Sequence, residues 1–245
     1  MNEKYDGDTE RVYDFFNSNH KKYGYSPKSL GWIKGKQNIR FAELTRFFNL
    51  SIPFAILDIG CGFGDINKYF VQKNITNYTY HGIDLVEGIV NAANDIYKGQ
   101  PNISFSCGEF LTDMSDCQKY DYVIASGIFN FQMNDIDNYV NVEEILKKSL
   151  SICNPNGAVS FDFQSDKADY FADNGVSFYN SPEKILSIAY KYSRNVALNN
   201  LYMPFEFSLT VFKDDSFAKS NLVFNKFIDD NKKEFDKGIY YEEIG

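Results

Sequence analysis

Five closely spaced residues, Asp58, Gly60, Cys61, Gly62 and Gly64 in the stretch AILDIGCGFGDI, have the types needed to hold a ligand. Glycines let the backbone turn sharply out of the apolar run 55–59 and leave bare peptide for close approach, and the helical pattern that follows at once brings the positive end of a helix to the same place. Gly64 is followed by Asp65 and Ile66 rather than Lys and Ser or Thr, which disfavours the phosphate loop of nucleotide hydrolases. The spacing is G-x-G-x-G, without the third glycine of the dinucleotide fingerprint G-x-G-x-x-G. Asp58, just ahead of the glycines, would repel a pyrophosphate and attract a ligand carrying an ammonium or sulfonium group.

The elements that must position these groups alternate. Runs at 55–59, 79–84, 103–107, 122–126 and 158–164 have strand character, and Ile89, Ala92, Ala93 and Ile96, then Val142, Ile145, Leu146 and Leu150, form helical stripes between them. This predicts a mostly parallel sheet with helices on both faces and a ligand at the rim beyond the strand carboxyl ends. Residues 1–50 read as a helical cap. Asp8 or Thr9 would cap a helix carrying Val12, Phe15 and Phe16, ended by the polar stretch 17–26. In a second helix Phe41, Leu44 and Phe48 share a face with Gln37, which is either a satisfied structural amide or aimed at a ligand; Arg40, at the stripe edge, either reaches an anion or is solvated. Beyond 164, residues 165–180 show no period, and Ser181 and Pro182 start a helix through 192. The β-rich runs 196–202 and 205–212, joined by a tight turn at Met203 and Pro204, predict an antiparallel pair at the sheet edge. A tail carrying Phe217, Val223, Phe224, Phe227 and Ile228 reads as one last helix. With no repeat or second boundary, 1–245 is expected to be one domain: cap (1–50), ligand-binding core (51–164) and terminal segment (165–245).

The net charge of −8 is spread along the chain, which argues against a nucleic-acid partner, because phosphate binding needs concentrated Lys and Arg. Cys61, Cys107, Cys117 and Cys153 have neither C-x-x-C nor metal-ligand spacing and read as free buried thiols. No cationic start precedes an apolar block, and no apolar run approaches the ~18 residues of a membrane span, so a cytoplasmic protein is expected. His81 reads as a packed core residue. The oligomeric state is left open.

With the acids and strands in place, the glycine stretch resembles motif I of class I S-adenosylmethionine-dependent methyltransferases, a likeness covering 54–164 and extending to the terminal antiparallel pair. It implies an α/β fold: a doubly wound, mostly parallel seven-stranded sheet with an antiparallel last strand under an N-terminal helical cap. It also implies S-adenosyl-L-methionine as cofactor, bound by the Asp58–Gly64 stretch, and no metal. Asp84, followed by Leu85, stands where the acid that bonds ribose hydroxyls belongs, two acceptor oxygens meeting two vicinal donors. Cys107, Gly108, Glu109 and Phe110 resemble the adenine-binding segment, with Glu109 accepting from the amino group and Phe110 packing on the ring or offering its N–H. YDYVIAS, ending at Ser126, resembles the fourth-strand motif, with 127–131 as the rim beside the transferred methyl. The flanks GWIKGKQNIRF and ASGIFNF resemble methyltransferases of bacterial capsule and surface-polysaccharide synthesis, including O-methyl phosphoramidate formation. Trp32, Gln37 and Arg40 are expected near the cofactor, and that likeness implies Arg40, Lys34 or Lys36 on an anionic acceptor.

Methyl transfer from a sulfonium is an in-line displacement that requires alignment, and a base matters only when the attacking atom must lose a proton. Ser126, Asn130, Phe131, Gln132, Asp162 and Gln164 surround the expected methyl position, and the caps add His20, Tyr23, Tyr25, Tyr170 and Tyr179. Asn130, Gln132, His20 and Tyr170 are the candidates for catalysis. The Asn/Asp-Pro-Pro-Tyr/Phe motif of amino-directed nucleic-acid enzymes is absent from SGIFNFQ, and no metal-binding acid pair stands out. The expected activity is O-methylation of a small metabolite or a capsule precursor. The alternatives are N-methylation of a small molecule, cofactor binding without turnover, and an NAD-dependent oxidoreductase.

Overall fold

A computed structural model of the chain describes residues 7–31, 36–115, 117–172 and 174–213. Trp32, Lys34 and the expected C-terminal helix lie outside the described residues. Seven strands form one sheet in the order β3-β2-β1-β4-β5-β7-β6. The strands are β1 (Phe54–Ile59), β2 (Tyr78–Asp84), β3 (Ile103–Cys107), β4 (Tyr120–Ala125), β5 (Cys153–Gln164), β6 (Val196–Asn199) and β7 (Glu206–Phe212). The pairs among β1 to β5 are parallel, and β7 runs antiparallel to both β5 and β6. The order reverses between β1 and β4, so their carboxyl ends flank a topological switch point where such sheets bind ligands.

β1 is a near-continuous apolar run because both faces of the sheet are covered. Leu57, Val123, Phe161 and Leu209 face α6 (Asn138–Ile152) and α7 (Pro182–Ala189), while Ile56, Ile124 and Ala158 face α2 (Gln37–Leu44) and α3 (Ile66–Gln72). The side-chain period of two therefore puts Asp58, Ser126, Asp162 and Glu206 on the α2 face at the carboxyl edge. Val142, Ile145, Leu146 and Leu150 are buried along α6, whose cap Asp137 accepts from the Tyr139 N–H at 2.7 Å. α4 (Glu87–Ile96) turns Ile89, Val90 and Ala93 inward and leaves Ile96 on the surface, so its stripe is rotated from the expected one. Ser181 and Pro182 open α7 as expected, although the helix ends at Ala189.

α1 (Gly7–Tyr23) departs most from expectation. It runs through the polar stretch expected to end it, since one face there is solvated and His20, Lys21 and Lys22 suit the negative end of the helix dipole. Gly24, at φ 60°, stops it by donating to the His20 carbonyl at 2.8 Å. Asp8 is not a cap. It lies in the first turn, buried, and accepts the N–H groups of Asn134, Asp135 and Ile136. Three further corrections follow from packing. Residues 200–205 connect β6 to β7, longer than a tight turn. Cys107 and Cys117 are exposed, only Cys61 and Cys153 being buried, and none of the four is in a disulfide. His81 is half-buried rather than packed in the core, its ring nitrogens within 2.9 and 3.0 Å of the Ser104 and Ser106 hydroxyls on β3.

Candidate cofactor and acceptor site

The turn after β1 is built by its glycines. Gly60 and Gly62 have φ of 65° and 55°, a region costly for residues with a Cβ. The N–H groups of Gly60 and Cys61 converge on the Ile83 carbonyl at 2.8 and 3.1 Å, which ties the turn to the end of β2. Cys61 points its thiol inward against Gly82, so this residue offers the site only its backbone. Asp84 closes the arrangement: Oδ2 accepts the Gly62 N–H at 2.9 Å and Oδ1 the Val86 N–H at 3.0 Å. Each oxygen keeps a further acceptor site, the donor count that two vicinal hydroxyls require. Burial raises the Asp84 carboxyl, and the Val86 and Gly62 N–H groups oppose that rise.

Asp58 sits beneath the turn, 5% exposed, and accepts from the Tyr80 hydroxyl at 2.9 Å. Burial pushes it up to about 7 despite that bond, with Asp84, Asp162 and Asp65 adding repulsion. On the far side of the turn Asp162, 2% exposed, accepts the Ser126 hydroxyl at 2.6 Å and the Gly127 N–H at 2.7 Å. It too is pushed up to about 7 by burial and by Glu206. A cationic ligand laid across this edge meets carboxylates on both sides of the switch point, whereas a pyrophosphate would meet repulsion.

The adenine-side residues gather at the neighbouring rim. Glu109 stands half-buried beyond β3, its two oxygens accepting from Thr9 at 3.2 Å and Thr112 at 3.3 Å. The Phe110 ring is committed to the core with Lys148 over its face, which leaves the backbone N–H as what this residue offers a ligand. Leu85 packs with Phe63, Val86 and Ile89 in the small cluster that also receives Tyr13, Phe16 and Leu30. α1 therefore lies over the rim. His20 stands beside Phe63, with ring centroids 5.8 Å apart, and against Gly88, which places it with Asp84 on the ribose side and not at the rim carrying Asn130. Its Nδ1 is buried without a hydrogen-bond partner.

The acceptor-side residues are largely held by backbone. Asn130 Oδ1 accepts the Gln164 N–H at 2.7 Å, and Gln132 donates through Nε2 to the Met133 carbonyl at 2.7 Å. Tyr170 is 79% exposed on the segment after β5. Gln37 opens α2 half-buried. Arg40 is neither solvated nor aimed outward: it is buried, and its guanidinium grips Glu206 with two bonds. Leu30 gives no sequence signal for the site, and Ile128 is expected only as part of the rim, yet a Cβ on Gly62 would meet Leu30 at 2.7 Å and one on Gly60 would meet Ile128 at 2.3 Å. Those two apolar side chains rest on the bare peptide of the turn. Among the described residues no cluster of His, Cys, Asp and Glu fits a metal, and no helix is long and apolar enough to cross a membrane.

A sheet of this order, with a glycine turn set between Asp58 and Asp84, defines an α/β protein whose switch point suits a nucleoside cofactor. Residues 56–157 match the family described as a methyltransferase domain. The Mycobacterium tuberculosis (strain ATCC 25618 / H37Rv) protein Rv1506c, which carries a methyltransferase name, is 30% identical over 172 residues, 69% of this chain and 98% of its own. A malonyl-[acyl-carrier protein] O-methyltransferase of Halalkalibacterium halodurans is 26% identical over 112 residues, 44% of this chain and 38% of the relative. Magnesium protoporphyrin IX methyltransferase from Synechocystis PCC 6803, solved with bound SAH, shares the fold with a TM-score of 0.61 at 16% identity, over 84% of this chain and 100% of that one. The chain belongs to the class I S-adenosylmethionine-dependent methyltransferases, and S-adenosylmethionine is its cofactor. The donor set fits that group: paired acceptors on Asp84 suit a ribose, and the acidic edge suits its cationic end.

Proposed function

We propose that this enzyme methylates a hydroxyl of a small molecule in the cytoplasm, with the acceptor seated over the rim from Ser126 to Gln132. The cofactor, when bound, supplies an electrophilic methyl group on a sulfonium. The chain's part is to align an oxygen with it and to leave the hydroxyl proton a path to solvent. The observation that carries the choice of oxygen is Asn130. Its carboxamide oxygen is spent on the Gln164 N–H, so Asn130 itself does not present a free amide acceptor that would hold an amino group in line. The malonyl carrier-protein relative also bears an O-methyltransferase name, although it shares only part of its length with this chain.

Within this class a neutral acceptor, such as a sugar or other metabolite hydroxyl, suits the rim better than an anionic phosphoramidate capsule precursor. Arg40 is engaged by Glu206, and Lys36 lies over the Phe205 ring. Asp162 beside Ser126 would repel an anion. The test uses a methyl-labelled donor with fractionated metabolite extract, followed by mass spectrometry and carbon NMR of the labelled product. A methoxy carbon is expected. Label on nitrogen would sink the oxygen assignment, and labelled phosphoramidate esters would restore the anionic acceptor.

A further inference from the structure

We propose that Asp162 is the counter-charge for the cofactor's sulfonium, so that this one carboxylate makes the site prefer the methyl donor over its neutral thioether product. The inference rests on the cofactor and is independent of which acceptor is methylated.

The placement follows from the strands. Asp84 ends β2 and Glu109 follows β3, so the ribose and base would lie on that side of the glycine turn. Whatever the ribose carries at its other end must extend across β1 toward β4 and β5, one or two strand spacings of about 4.8 Å each. Ser126 and Asp162 occupy that end, half-buried and buried, on the same face of the sheet as Asp58 and Asp84. Among the described residues Asp162 is joined to the rim by neutral donors, the Ser126 hydroxyl and the Gly127 N–H. Arg40, the cation that acts on it among the described residues, is held bidentately by Glu206, so Asp162 has no ion pair of its own among them. In a buried setting its charge acts strongly on a cation one side chain away.

The groups that face Asp162 decide its ionisation. Glu206 on β7 raises it, while Ser126 and Gly127 after β4 and Arg40 on α2 lower it. Asp58 on β1 and Tyr202 before β7 also feel its charge. Burial dominates and brings the carboxyl up to about 7. A cation at the site favours the ionised form, whereas the thioether does not.

Titration calorimetry with S-adenosylmethionine and S-adenosylhomocysteine as the two probes reads this directly. In the wild type the ratio of donor to product affinity should rise with pH between about 5.5 and about 8.5 as Asp162 ionises. In Asp162→Asn the ratio should fall by about tenfold at the upper pH and lose its pH dependence, while product affinity stays the same. Equal losses for both probes, or a pH-independent wild-type ratio, would overturn the proposal. Ser126→Ala separates Asp162 from Asp58 and serves if Asp162→Asn does not fold. Removing the hydroxyl donor should shift the midpoint of the pH dependence upward, and an unmoved midpoint would assign the charge elsewhere.

Discussion

Asp84 has two duties that pull against each other. In the proposed ribose role it must stay charged to hold two ligand hydroxyls, yet it is half-buried, and the Gly62 and Val86 N–H groups are what keep the charge affordable. Asp84→Ala is expected to cost about 1–3 kcal/mol of S-adenosylhomocysteine affinity from lost charge-assisted bonds. Calorimetry on a folded variant checks this, and unchanged affinity would contradict the ribose assignment. Asn130 makes a different kind of contribution, since its carboxamide oxygen pins the rim to β5 through the Gln164 N–H. Asn130→Ala leaves that donor without its partner and should lower stability by about 1–3 kcal/mol. Chemical denaturation measures the loss, and an unaltered midpoint would show that the bond contributes nothing net.

At the scale of elements, α1 is the part whose role could not be inferred from its own residues. Its first turn is fixed by Asp8, which gathers N–H groups from Asn134 to Ile136 and the Arg11 guanidinium. Thr9 in that turn reaches Glu109, and His20 near the other end lies against Phe63 and Gly88. Together with Leu30 on the turn, it stands in the path by which a ligand would reach Gly62. Asp8→Ala should release about 1–2 kcal/mol of docking energy. Stopped-flow binding is then expected to show faster association and faster release of S-adenosylhomocysteine, with earlier proteolysis within α1. Unchanged rates would mean that the ligand enters by another route. α6 is a contrasting element, because its legible stripe is simply core: Leu146→Ala should cost about 2–5 kcal/mol of stability, read by denaturation, with little effect on cofactor affinity.

The whole molecule carries an imprint of its acidic edge. Asp58 and Asp162 have an ordinary value of 3.8 and are brought to about 7 in the fold. The folded chain therefore holds protons that the unfolded chain has lost. Their contribution to stability is fully present below about 4 and is lost as pH rises through about 7. Asp8 works in the opposite sense: burial opposes its charge, but the loop N–H groups and Arg11 hold its carboxyl below the ordinary value, so its contribution is lost on acidification. Thermal denaturation as a function of pH separates the two. Asp58→Asn should flatten the decline in melting temperature between about pH 4 and 7. A decline as steep as that of the wild type would mean that Asp58 is not the titrating group.

The chain's local signals were enough to read the order of strands and helices, the glycine turn and the acids at the strand ends. A period of two or 3.6 residues, a cap or a turn residue reports on neighbours within one element. The same signals misread Asp8 as a cap, Arg40 as a surface or ligand-binding cation and α1 as a shorter helix. In the first two cases the deciding partner is far along the chain: Asp8 meets Asn134 across 126 residues, and Arg40 meets Glu206 across 166. Periodicity carries no information about such pairs, which exist only once the sheet has closed in its final order. By itself, the sequence determined which cofactor the turn after β1 receives. Tertiary structure alone decided what covers that turn and which acids stand without an ion pair of their own among the described residues, because both depend on contacts between segments that no local pattern links.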